Sequence, residues 1–271
     1  MTVAPGGRTG DVWNPAQYER FVAERRQPFD DLLALVTPTP GGTAVDLGCG
    51  TGELTVELHR HLGAASTLGI DSSAAMLEHA LGLAHDTAGV RFEVGDLSTF
   101  TTEQPLDVLF ANAALQWVPD HVPLLARLST LLAPGGQLAI QVPYNHDHLS
   151  HTVSAAIARE EPFASAMGGD PPADPVAVNV RTPARYAELL HELGFAEQHV
   201  RMQVYGHVLD SSAEVVEWVK GTSLTRFERV LPDDLYAELL DRYTERLVDG
   251  LGAERPFFYA FKRILFWGRK P

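Results

Sequence analysis

Three glycines stand at alternate positions in Gly48-Cys49-Gly50-Thr51-Gly52, directly behind the short apolar run Thr43–Leu47. Glycine lets backbone come close to a ligand and adopt positive φ. A turn of this kind at the carboxyl end of a parallel strand is where open α/β sheets hold their ligands. The spacing selects among ligands. A dinucleotide fingerprint needs a third small residue three positions beyond its second glycine, to pack helix on strand beside a pyrophosphate. Here that position is Glu53, whose charge a pyrophosphate would repel. The pattern is GxGxG, and with Asp46 just upstream it suits a compact cation whose ammonium group the acid and the loop can take.

Three more polar groups follow at similar places. Ile70-Asp71 closes a second apolar run, where an acid accepts hydrogen bonds from both hydroxyls of a ribose. Gly95-Asp96-Leu97 closes a third; Asp96 can accept from an adenine amino group while Leu97 lies against the ring. Phe110-Ala111-Asn112-Ala113 closes a fourth, with Asn112 holding the ligand or the strand-end backbone.

These groups need a scaffold, and hydrophobic periodicity supplies one. Gln17–Val36 predicts a helix that Pro28 should interrupt or restart. Thr43–Leu47, Thr67–Ile70, Val90–Val94, Leu106–Ala111 and Gln137–Val142 predict strands. Helical Leu54–Leu62, Ser73–Ala84 and Leu124–Leu132 fall between them, so the chain reads as βαβ units with a parallel sheet. Residues 144–182 lose the rhythm and predict irregular chain. Arg185–Leu193 predicts a helix, Val200–Val208 a strand, Ser211–Val219 and Asp233–Leu247 helices, and Arg263–Trp267 a last strand. Insertions after the fifth strand are long enough to form a lid over the carboxyl edge of the sheet. We expect an N-terminal covering segment (1–36), a ligand-binding core (37–143) and strands with lid insertions (144–271), integrated as one domain.

Composition bounds the function. The 271 residues are 45% apolar, which suffices for a core. The net charge of −14 repels nucleic acid and anionic membranes, so neither is an expected partner. A small anionic substrate would require local Arg or Lys to overcome that field. The start of the chain lacks a basic segment followed by an apolar run, and Cys49 is the single cysteine; a cytoplasmic setting is expected.

The glycine turn and the strand-end acids resemble the class I S-adenosylmethionine methyltransferases. Within these, the chain is similar to the trans-aconitate methyltransferases through Trp13-Asn14-Pro15, Ala23-Glu24-Arg25, Val45–Gly50, Gly69–Ser73, Phe110–Ala113 with Leu115-Gln116-Trp117, and Pro119-Asp120-His121. Weaker similarity continues through Glu217-Trp218-Val219, Arg242-Tyr243 and Ala260–Phe266. The resemblance departs at Ala114, where the family commonly has Ser, and over residues 144–182. It implies a Rossmann-like seven-stranded sheet, mostly parallel with one antiparallel strand, plus a helical lid. S-adenosylmethionine is the implied cofactor, on Asp46, Gly48, Cys49 and Gly50 of the turn, Asp71, Ser72 and Met76 after the second strand, and Asp96, Leu97 and Asn112. The implied reaction is methyl transfer to a carboxylate of trans-aconitate.

Such a substrate calls for arginines, which pair bidentately with carboxylates. Candidates are Arg25, Arg226 in a Thr225–Phe227 loop and Arg263, with Arg181 weaker. Gln116 offers a donor, and Trp13, Tyr18, Trp117 and Tyr144 offer walls. A carboxylate is already ionised at pH 7, so no acid–base residue is expected. His146-Asp147-His148 and His151 have metal-ligand types but read as a polar loop, and no metal is expected. Three alternatives stay open: methylation of an amine, phenol or carbon, with His121 or His146 as base; a nicotinamide oxidoreductase, which Glu53 opposes; and a non-catalytic binding module.

Overall fold

A computed structural model describes residues 22–271, with side chains from Arg26 onward. Trp13, Asn14, Pro15, Tyr18 and the side chain of Arg25 lie outside the described residues. The described chain forms two compact units. One comprises Val22–Tyr144, Asn179–Tyr205 and Lys262–Pro271; the other comprises Asn145–Val178 and Gly206–Phe261.

The first unit carries the sheet. Helix α1 (Val22–Leu33) precedes β1 (Thr43–Leu47), α2 (Glu53–Leu62), β2 (Ser66–Asp71), α3 (Ala74–Asp86), β3 (Val90–Val94) and β4 (Leu106–Asn112). After a 3-10 turn at Leu115–Trp117 come α4 (His121–Ser129) and β5 (Leu132–Pro143). The seven strands lie in the order β3-β2-β1-β4-β5-β7-β6, where β6 is Glu197–Leu209 and β7 is Phe257–Arg269. Pairings β3-β2-β1-β4-β5 are parallel and β5 runs antiparallel to β7. The chain steps outward from β1 in one direction and resumes at β4 in the other. The topological switch point thus lies between β1 and β4, the ligand position in such sheets. Register brings the strand ends level: Asp46 lies across from Gly69 and Phe110, Asp71 from Val94, and Asn112 from Gln141.

Apolar burial holds this frame. Phe29 and Leu32 of α1 are fully buried, and the Phe29 ring meets Phe110 edge-on at 5.5 Å. That packing overrides a local expectation: Pro28 lies inside a continuous α1 instead of breaking it. Helix α8 (Pro183–Glu192) also belongs here, and its Tyr186 stacks on Phe266 at 4.3 Å. Other boundaries differ modestly. Helix α4 starts at His121 and ends at Ser129, and β5 begins at Leu132, ahead of Gly135-Gly136. Strand β7 takes in the whole aromatic stretch from Phe257.

The second unit corrects the expectation of irregular chain at 144–182. It contains α5 (Leu149–Ile157), α6 (Phe163–Ala166) and α7 (Pro175–Asn179), the last ending just past the unit's border. Helix α5 escapes periodicity because its buried face is mostly polar: Ser150, His151 and Ser154 are buried beside Ile157. Then come α9 (Glu214–Lys220), α10 (Thr225–Glu228) and α11 (Asp233–Leu251). Residues 225–227, expected as a loop, thus form a short helix. A core of Phe163, Trp218, Phe227, Leu239, Tyr243 and Tyr259 fills this unit.

Beside that core sits an ion cluster. His151 Nδ1 is 2.5 Å from Asp174 Oδ2, and Arg226 Nη1 is 4.0 Å from the same oxygen. Burial would raise the Asp174 pKa, but the His151 hydrogen bond and charge and the Arg226 guanidinium outweigh it and hold the carboxyl below its ordinary range. Asp174→Asn should therefore cost about 3–5 kcal/mol, the usual result of stripping one partner from a buried ion pair. The Asp174 contribution is complete above pH ~4 and lost as pH falls through the depressed native pKa, which denaturant titrations between neutral and acid pH would read.

Candidate active site

The glycine turn is fastened to the end of β2. Gly48 N and Cys49 N both donate to Ile70 O, at 2.7 and 3.0 Å. Gly50 N donates to Asp71 Oδ2 at 2.9 Å, while Asp71 Oδ1 accepts from Ser73 N at 2.9 Å. One carboxylate therefore ties the turn to the start of α3, where Ser73 Oγ caps Met76 N. Gly48, with φ +79°, is crowded as well as left-handed: a Cβ there would lie 2.2 Å from Ala114 Cβ. A Cβ on Gly50 would come 3.5 Å from Met76 Cε, so Met76 floors the same recess.

Electrostatics favour a cation in it. Asp46 is buried, accepts from Thr55 Oγ1 at 2.6 Å, and is pushed up to about 7 by burial, with the Thr55 bond opposing and the Asp71 charge adding. Burial likewise pushes the Cys49 thiol up, so it stays protonated. Beyond β3, Asp96 Oδ1 accepts from Ser98 N at 2.8 Å. Arg127 of α4 clamps this loop through the carbonyls of Leu97, Ser98 and Phe100.

The segment after β4 is bent and held. Ala113 and Asp120 have φ of 55° and 54°, uncommon for non-glycine residues. Between them, Gln116 Nε2 donates to Ala113 O at 2.7 Å, and Asn179 Nδ2 donates to Gln116 O at 2.9 Å. His121 Nε2 lies 2.9 Å from Leu115 O, and its Nδ1 lies 2.6 Å from Tyr186 Oη. A carbonyl only accepts, so Nε2 carries the proton and Nδ1 accepts from the tyrosine. Burial lowers the His121 pKa and keeps the ring neutral. Asn112 Oδ1 and Gln116 Oε1 are buried acceptors with no partner. On the next strands, Arg263 is buried and its Nη1 donates to Gln141 Oε1 at 3.3 Å. Tyr144 and Trp117 are half-buried nearby in sequence.

Residues 38–176 match the methyltransferase domain family. Along nearly its whole length the chain is similar to two curated proteins named trans-aconitate 2-methyltransferase. It is 44% identical to that of Deinococcus radiodurans, covering 96% of this chain and 99% of the relative. It is 40% identical to that of Methylobacterium radiotolerans, covering 95% and 98%.

The chain belongs to the methyltransferase family.

Solved structures agree on the fold of this methyltransferase. The YcgJ protein of Bacillus subtilis aligns with a TM-score of 0.61 at 14% identity, covering 90% of this chain and 98% of that one. Phosphoethanolamine N-methyltransferase 2 of Haemonchus contortus, solved with S-adenosylhomocysteine, aligns at 0.54 and 18% identity, over 91% of this chain and 52% of that one.

Within the sheet unit the methyltransferase brings together the strand-end residues Asp46, Gly48, Cys49, Gly50, Asp71 and Met76. Ser72 is exposed at the tip beside Asp71, and Asp96 is exposed beyond β3, with half-buried Leu97 after it. The Gln116 donor, expected to face a ligand, is instead engaged by Ala113 O, which leaves an acceptor. Arg226 lies in the helical unit, donating to Ser223 O at 2.6 Å and Ser154 Oγ at 3.0 Å, with Nε unpartnered. His148 Nδ1 caps Ser150 N and His151 pairs with Asp174. Among the described residues no group of three metal-ligating side chains is arranged around one point. Thr55, Arg127, Asn179 and Tyr186 support the site without belonging to any motif. Only an amphipathic helix pattern places Thr55 and Arg127 inward, and nothing in sequence pairs Tyr186 with His121.

Two glycines separate backbone strain from crowding. Gly48 and Gly135 both have positive φ, but space around Gly135 is open. Gly135→Ala should cost about 1–2 kcal/mol from the backbone alone. Gly48→Ala should cost about 1–3 kcal/mol more by overpacking against Ala114, as chemical denaturation would measure.

Proposed function

We propose that this protein transfers a methyl group from S-adenosylmethionine to one carboxylate of trans-aconitate, giving a monomethyl ester. The observation that carries the reading is the extent of the likeness. The family match at residues 38–176 speaks for methyl transfer in general, whereas identity at 40–44% to trans-aconitate 2-methyltransferases runs over 95–96% of the chain.

The residues fit the cofactor. Bound S-adenosylmethionine supplies a methyl group on a sulfonium leaving group. Asp46 and the Gly48–Gly50 backbone would take its amino-acid end, and Asp71 with Ser72 its ribose. Met76, Asp96 and Leu97 would border the adenine. Asn112 Oδ1, buried and unpartnered, offers an acceptor at the switch point. For the acid, Arg263 and the walls Trp117 and Tyr144 serve from the sheet unit, while Gln116 frames the strand end. Arg25 stays a candidate by its place in the N-terminal segment. Arg226, in the helical unit, stays a candidate by residue type.

No general base is required. A carboxylate with pKa ~4 is ionised at pH 7. His121, the base candidate for an amine or phenol acceptor, has both ring nitrogens engaged, which favours the carboxylate reading. The chain's task is alignment and exclusion of water, and alignment supplies about 7–11 kcal/mol in well-oriented systems. The small-molecule acceptor, the charge of −14 and the single, buried Cys49 suit an enzyme acting in the cytoplasm away from nucleic acid and membrane.

Two measurements test this. Methyl transfer assayed across polycarboxylates, amines and phenols should give the highest kcat/KM with trans-aconitate; a preferred amine or phenol would overturn the reading. Because Asp46 titrates near 7 when no cation faces it, protonation competes with ammonium binding. S-adenosylhomocysteine affinity should weaken about tenfold from pH 8 to pH 6. Asp46→Asn should bind weakly with a flat profile, as calorimetric titration would record.

A further inference from the structure

Strand β5 contains two glutamines four residues apart, Gln137 and Gln141, and strand alternation puts both on one face. Both are buried, at 1% and 0% exposure. Gln137, at the amino end, is satisfied within the protein. Its Oε1 accepts from Thr37 N at 2.9 Å and Trp267 Nε1 at 3.1 Å, and its Nε2 donates to Thr37 O at 2.8 Å. Gln141, at the carboxyl end, is not. Its Oε1 accepts from Arg263 Nη1 at 3.3 Å, but its Nε2 has no partner.

The orientation of this amide is not arbitrary. A guanidinium has donors only, so the Gln141 oxygen must face Arg263 and the NH2 group must be the one left over. A fully buried amide donor without an acceptor is costly, and native proteins seldom leave one. Here it sits at the end of the sheet where ligands bind, level with Asn112 on β4 and beside the strand that carries Arg263. The idle group is a donor, so the missing partner is an acceptor, and the guanidinium beside it suits one that carries negative charge.

We propose that Gln141 is a substrate-binding residue whose Nε2 donates to a carboxylate of the acid that is not being methylated, with Arg263 fixing the amide for this task. This rests on the carboxylate reading above. A donor placed on the accepting oxygen would blunt its nucleophilicity, so the contact belongs to a second carboxylate and acts on binding. Its signature is a raised KM with little change in kcat.

The test uses the full-length protein, with Gln141→Met, which keeps length and loses the donor, and Gln141→Glu, which keeps shape and reverses the preference. Steady-state methylation of trans-aconitate should show KM raised about 10- to 100-fold in Gln141→Met, the range of a hydrogen bond to a charged group, and more in Gln141→Glu. The kcat of Gln141→Met should stay within about threefold, and its S-adenosylhomocysteine affinity within about twofold, showing that the fold and cofactor edge are intact. Wild-type KM in both variants, beside an active wild-type protein, overturns the Gln141 assignment alone. A wild-type protein that methylates amines or phenols but no carboxylate overturns the functional reading, and this assignment with it.

Discussion

The donation of three successive loop amides to the end of β2 is the contact on which the site depends. Gly48 N, Cys49 N and Gly50 N lie in a left-handed turn where no helix or ladder can take their hydrogens, so Ile70 O and Asp71 Oδ2 must. The consequence is geometric. A turn tied in this way leaves no room for a side chain at Gly48, and it brings Asp46 and Asp71 close enough for one charge to raise the other's pKa. Two carboxylates at the ends of neighbouring strands repel, and a cation beside them would relieve that repulsion. Burial keeps Asp46 poised near neutrality, ready to ionise when a cation arrives.

The same economy governs the other side of the switch point. The turn after β4 bends through two positive-φ residues, and such backbone is kept only where its surroundings over-determine it. His121, Asn179 and the Gln116 amide provide that restraint from three different elements. This accounts for the absence of spare chemistry on His121. Its two nitrogens are consumed in joining α8 to the strand end through Tyr186.

The glycine turn and the strand-end acids were legible in sequence because their requirements are local: glycines at fixed spacing, an acid at each strand end, and alternation that sets the sheet. The count of seven strands, one of them antiparallel, came with the family resemblance; their order is a finding of the structure. What stayed hidden depends on contacts remote in sequence. Helix α5 has a buried face of Ser150, His151 and Ser154, so apolar periodicity could not reveal it. Pro28 reads as a breaker, but Phe29 and Leu32 are buried deeply enough to keep α1 continuous. Arg226 reads as a free cation in a loop and is in fact balanced by Asp174, 52 positions earlier in the chain. The direction of the Gln116 amide, with its donor on Ala113 O and its acceptor buried and unpartnered, is a fact of hydrogen bonding that no spacing encodes.

Taken together, the polar groups of the sheet unit are sorted by strand. Asp46 on β1, Asp71 on β2, and the idle oxygens of Asn112 and Gln116 at the end of β4 are all acceptors. Gln141 Nε2 on β5 and the Arg263 guanidinium on β7 are donors. The boundary falls between β4 and β5, which pair in register at Asn112 and Gln141. This sorting suits the proposed reading, with a cationic methyl donor on one side of that boundary and an anionic acceptor on the other. Their mutual attraction would collapse them into any convenient ion pair in water; held as proposed on opposite sides of one sheet end, they would be left the approach in which the acceptor oxygen meets the methyl carbon. With the nucleophile already ionised, holding that approach and keeping water out is what the reaction asks of the protein. A sorted strand edge does this without a general base.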